Sequence, residues 1–68
     1  MTIDEFRALK TGDRIRNAMS ESSGVIADVA NHRGRVSVHV QWDGNDMTFG
    51  PFGEYSTAWM HWTLEGAA

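Results

Sequence analysis

Sixty-eight residues without a cysteine make one small domain that must hold together by packing or self-association, because disulfides and thiolate metal sites are excluded. Six Lys and Arg against nine Asp and Glu give a net charge of −3, so no global positive field draws the chain to nucleic acid or to an anionic membrane. No apolar run approaches the roughly 20 residues of a membrane span, and no basic-then-apolar leader opens the chain, so the expected location is the cytoplasm.

A domain of this size buries only about 60% of the surface its unfolded chain exposes. Three Trp, three Phe, one Tyr and four Met supply the area such a core needs. From the N-terminus, Thr2 and Glu5 have capping-box spacing, and Met1 and Phe6 stand where a hydrophobic staple places its two residues. Ile3, Phe6 and Leu9 then share one face, which predicts a helix of two or three turns ending near Gly12 and packed on a sheet. Gly12-Asp13 turns into a short strand, Arg14-Ile15-Arg16, and the polar stretch Asn17 to Ser23 predicts a loop suited to binding.

The firmest pattern follows. Val36, Val38, Val40 and Trp42 alternate with Ser37, His39 and Gln41, as in a strand with one buried face. Val25, Ile26, Ala27 and Val29 form a partner strand whose broken alternation around Asp28 predicts a bulge, and Asn31-His32-Arg33-Gly34 supplies the loop between the two. Asp43 to Asp46 is a second turn, from which Met47, Thr48 and Phe49 pair back along the 36–42 strand. Gly50-Pro51-Phe52-Gly53 is expected to break that strand, since Pro51 has no donor. A short turn around 56–60 and a last strand near 61–65 complete the predicted elements, with Gly66 to Ala68 as a frayed end.

The series Gly12-Asp13-Arg14-Ile15-Arg16, Ser23-Gly24-Val25-Ile26 and Val36 to Gly44 resembles the "GDRV", "GxV" and "VxWxDG" motifs of SH3-like small barrels of the KOW and Tudor type, over about residues 10–65. The resemblance implies an all-β, SH3-like five-stranded small barrel with a short N-terminal α-helix. A single domain would then span 1–68, with the helix over 1–11 and the barrel over 12–65. Gly12 to Arg16 is also similar to the Gly-Asp-Arg-Val-Arg opening of plasmid-encoded type II dihydrofolate reductases. Those enzymes line the pore of a tetramer with a Val-Gln-Ile-Tyr motif; the counterpart here, Val40-Gln41-Trp42, lies in a different strand and lacks the tyrosine. That likeness implies only a remote alternative, an oligomeric reductase-like enzyme.

Phe49, Phe52, Tyr55, Trp59 and Trp62 crowd together with Met47, Met60 and His61. In a domain this small most of them are expected to be core, leaving Phe52, Tyr55 and Trp59 as the candidates for an exposed binding surface beside Met19 and Glu21 of the 17–23 loop. His32, His39 and His61 lack the spacing of a familiar metal motif and read as solvated side chains, and no cysteine nucleophile or phosphate-cradling glycine loop is present. Arg14, Arg16, Arg33 and Arg35 could form a stripe for nucleic-acid phosphates, although Asp13, Glu21 and Asp28 lie close enough in sequence to neutralise it. The expectation is therefore a non-enzymatic module without cofactor or metal that binds a protein partner. Nucleic acid is the alternative partner, and homo-oligomer formation is open. The short chain suits a phage or mobile-element accessory protein.

Overall fold

In the computed structural model, which describes residues 1–65, five antiparallel strands form one sheet. They are β1 (Arg14–Asn17), β2 (Ser22–His32), β3 (Arg35–Trp42), β4 (Thr48–Gly53) and β5 (Trp62–Leu64), in the spatial order β4-β3-β2-β1-β5. A short helix, α1 (Ile3–Arg7), precedes them, and a 3₁₀ turn at Ala58–His61 leads into β5. The fold is thus all-β with an N-terminal helix, as expected, and it is compatible with an SH3-like small barrel. The hydrogen-bonded ladder does not close, because β4 and β5 are the two edges of the sheet. The expected frayed end at Gly66–Ala68 lies outside the described residues.

The alternation of β3 places Val36, Val38 and Val40 in the core, opposite Asn31, Val29 and Ile26 of β2. The expected bulge is there: the register shifts between Ile26 and Asp28, so Ala27 has no partner and the buried face changes parity along β2. The loop between the two strands is shorter than the four residues expected. Arg33 and Gly34 alone make the turn, at φ 55° and 80°, and Asn31 and His32 belong to β2. A two-residue turn with positive φ matches the twist of the flanking strands, and the Asn31 side chain accepts a hydrogen bond from the Gly34 N–H at 3.1 Å.

Three other boundaries differ from expectation. α1 has five residues rather than two or three full turns, because Leu9 N–H bonds back to Phe6 in a tight 3₁₀-type turn and the Asp13 carboxylate accepts the next free N–H, that of Lys10. The capping box of Thr2 and Glu5 is formed as predicted. The 17–23 loop shrinks to residues 18–21, since Asn17 pairs with Ser22 and Arg16 with Ser23. β4 runs through Gly50 and Pro51, where a break was expected. Pro51 is tolerated because β4 is an edge strand and because Gly50 and Pro51 fall in a register shift, between the pairs Val38–Phe52 and Val40–Phe49. Gly50 has φ 141° there, and a Cβ on it would lie 2.8 Å from the Val38 carbonyl.

α1 packs on the connection between the two edges. Phe6 stacks on Trp59 at 4.8 Å between centroids, and the Met1 ammonium donates to the Met60 carbonyl at 3.1 Å. Glu54 fastens the same region, accepting from the Arg7 guanidinium at 2.9 Å and from the Val36 N–H at 2.7 Å. The Arg7 hydrogen bond first, then that of Val36, hold the Glu54 carboxyl below the usual carboxylate range. A carboxyl depressed in the folded state contributes stability that is fully present above its unfolded value of about 4.3 and is lost as pH falls through the lower folded value. Tryptophan-monitored urea unfolding from neutral to acid pH should therefore show a gap between wild type and Glu54→Gln that is widest above about pH 4.3 and closes in acid. A gap that does not change with pH would remove Glu54 from this role.

Candidate functional site

At the β1–β2 end of the sheet, three ladder pairs place side chains around a depression. Asn17 of β1 faces Ser22 on one side and Trp62 of β5 on the other, and two residues along β2, Gly24 faces Trp42 of β3. Gly24 is required at that position: a Cβ there would come within 2.8 Å of both Trp42 Cε3 and the Gln41 carbonyl, so the absent side chain is what lets the Trp42 ring lie against β2. Trp42 and Phe52 both meet Trp62 nearly at right angles, at 5.8 Å and 5.1 Å between centroids. The result is a cleft of about 250 Å³ lined by these three rings with Ala58, and rimmed by Asn17, Ser20 and Ser22.

Two properties define what this cleft can hold. Its lining carries no charged side chain, so neither an ammonium nor a carboxylate would find a countercharge in it. Trp62 is only 1% exposed, and its indole N–H has no hydrogen-bond partner among the described residues. With aromatic walls and a rim of hydroxyl and amide groups, the site favours a neutral, mainly apolar group that can also hydrogen-bond at the rim. None of the lining residues titrates near neutral pH, and the cleft offers shape and hydrogen bonding rather than proton transfer.

The residues singled out from the sequence are dispersed. Phe52 is half-buried and lines the cleft. Met19, 73% exposed, and Glu21 sit on the 18–21 turn, where Glu21 approaches Arg16 at 3.8 Å. Tyr55 is exposed but lies under the Arg35 guanidinium, 4.8 Å from it. Trp59 belongs to the core: it is 7% exposed, stacks on Phe6, and donates its N–H to the Gly53 carbonyl at 3.0 Å. It offers no exposed ring to a partner. Trp42 and the two rim serines take its place, with Trp62 as the buried floor behind them, and the signal in the sequence was a strand glycine, Gly24, in register with Trp42.

The four arginines do not form one stripe. Arg14 and Arg16 lie opposite Val25 and Ser23, at the cleft end of β2, whereas Arg35 lies opposite His32 at its far end. Seven residues of strand, roughly 23 Å, separate Arg14 from Arg35. Arg14 is held by Asp43 at 2.6 Å and by Glu65 at 3.6 Å, which raises its already high pKa, Asp43 contributing most. Arg33 and Arg35 make no ion pair with any described residue, and with His32 they line a second cleft of about 380 Å³ at the hairpin tip. Val40 is buried while Gln41 is exposed on the opposite face, so Val40-Gln41-Trp42 does not line a single surface. Among the described residues no group of three or more His, Cys, Asp or Glu comes together to hold a metal, and no helix is long and apolar enough to cross a membrane.

No family model, no curated protein and no solved structure matches the chain.

Trp59→Ala should cost about 3–5 kcal/mol in equilibrium denaturation, the range for removing a packed aromatic. Tyr55→Ala, which loses only an exposed contact with Arg35, should cost about 1 kcal/mol or less. Equal costs would mean that the division into core and surface aromatics drawn above is mistaken.

Proposed function

We propose that this chain is a non-enzymatic binding module, built as an SH3-like barrel, that takes a protein partner in the cleft formed by Trp42, Phe52 and Trp62. One observation carries the reading: a preformed aromatic cleft with a neutral polar rim. A polypeptide supplies the complementary chemistry in one unit, with an apolar side chain to fill the cleft and carbonyl oxygens to accept from the rim. Met19, next in sequence to the rim residue Ser20, is exposed, and an unbranched thioether adapts to the shape of what it touches. At about 250 Å³ the cleft suits one anchoring side chain better than a whole drug-sized ligand, for which about 300–1,000 Å³ is usual.

Ser20→Trp fills the cleft from its rim without entering the core, and Trp42→Ala removes one wall. Affinity capture from host lysate should yield partners that survive nuclease treatment and are lost with both variants, once circular dichroism has shown each to be folded. Partners retained by Ser20→Trp would place the interaction elsewhere on the molecule.

A further inference from the structure

The cleft reading leaves the far end of the hairpin unused. β1 and the Gly12-Asp13 segment bond to β2 only as far as Ile26, and β4 pairs with β3 no further toward the turn than Ser37. Beyond those points the pairs Asn31–Val36 and His32–Arg35 and the Arg33-Gly34 turn extend as a two-stranded ribbon with no strand on either side. Residues 31–35 are all exposed.

The side chains of the tip itself carry charge of one sign, with Glu54 at its base against Val36. Between Asp28 and Asp43 the sequence contains no acidic residue, while Arg33, Arg35 and His32 converge on one cleft. Elsewhere the arginines are neutralised: Arg7 by Glu54, Arg14 by Asp43 and Glu65, and Arg16 by Glu21. Glu54 is the acidic side chain whose charge Arg35 feels, and its two oxygens are already engaged by Arg7 and by the Val36 N–H. The Arg35 guanidinium is also positioned, standing 4.8 Å over the Tyr55 ring, so less side-chain freedom is lost when it meets an anion.

We propose that the β2–β3 tip is a second binding site, in which Arg33 and Arg35 contact backbone phosphates of duplex DNA as the ribbon enters the major groove. Two guanidiniums without an ion pair to any described residue suit phosphate oxygens, which they bind in a bidentate manner. The width of the element selects the form of the nucleic acid. A two-stranded ribbon fits the roughly 12 Å major groove of B-form DNA, whereas the major groove of an RNA duplex is too narrow to admit it. The net charge of −3 keeps this contact weak, and it confines attraction to the tip.

The test is fluorescence anisotropy of a labelled DNA duplex two helical turns long, titrated with the whole chain at several salt concentrations. Two phosphate contacts predict that log K falls with log salt at a slope of about −2. Arg33→Asn, which keeps a residue tolerant of positive φ in the turn, and Arg35→Gln should each weaken binding and reduce the slope by about 1. Arg14→Gln should leave the slope unchanged, with circular dichroism confirming that all three variants fold. No binding at the lowest salt would overturn the proposal, as would slopes unaffected by the two tip variants. Equally tight binding of an RNA duplex or of polyglutamate would also overturn it, since either result would show that charge alone, and not the groove, is being read.

Discussion

Trp62 sits on the shortest strand of the sheet, and its ring meets Trp42 from β3 and Phe52 from β4 at nearly right angles. β5 has only three ladder pairs, all to β1, so hydrogen bonding by itself would not hold it against fraying. Burial of the indole supplies what the ladder lacks, because an aromatic side chain removes about 150–250 Å² from water. The same contact links the two edges of an open sheet across its concave face, with β5 at one edge and β4, through Phe52, at the other. A chain of this length has few alternatives, having no cysteine with which to staple the edges.

The aromatic residues therefore divide according to what closes behind them. Trp59 has Phe6 of α1 stacked on it and the Gly53 carbonyl on its N–H, and it is fully engaged. Trp62 has rings against it but nothing on its N–H, and Trp42 and Phe52 are covered only in part. The helix closes one end of the concave face, and the other end stays open as the cleft. Charge follows a similar division: the guanidiniums near α1 and the cleft are matched by Glu54, Asp43, Glu65 and Glu21, and the two without an ion pair among the described residues stand at the hairpin tip.

Much of this architecture is legible in the sequence because it depends on local rules. The unbroken alternation of 36–42, the capping box at Thr2 and Glu5, and the Gly34 and Gly44 turns each follow from one residue's stereochemistry or from a two-residue period, and each is present. The division of the aromatics is not local. Which face Phe49 and Phe52 take depends on the register shift opposite His39, and Trp59 and Trp62 are placed by a 3₁₀ turn and by pairing of β5 with β1, neither of which a local pattern announces. The strand through Pro51 was hidden for a related reason, since the penalty for proline in a strand vanishes at an edge, and edge position is a property of the assembled sheet. The arginine stripe failed through length: residues that look close as neighbours of two turns stand at opposite ends of an eleven-residue strand.

β2 fixes the relation between the two proposed sites. Ser22, its first residue, is on the rim of the aromatic cleft, and His32, its last, lines the cleft at the tip. Ten residues of extended chain reach at most roughly 33 Å, and even with the bend at its bulge β2 carries the two surfaces toward opposite ends of a molecule whose long axis is 32 Å. That distance exceeds a Debye length of about 8 Å at physiological salt several times over, so charge bound at the tip is screened from the cleft. Neither site shares a lining residue with the other. Ligands at the two ends would therefore bind without steric or electrostatic competition, and the chain would act as a short rigid spacer between them.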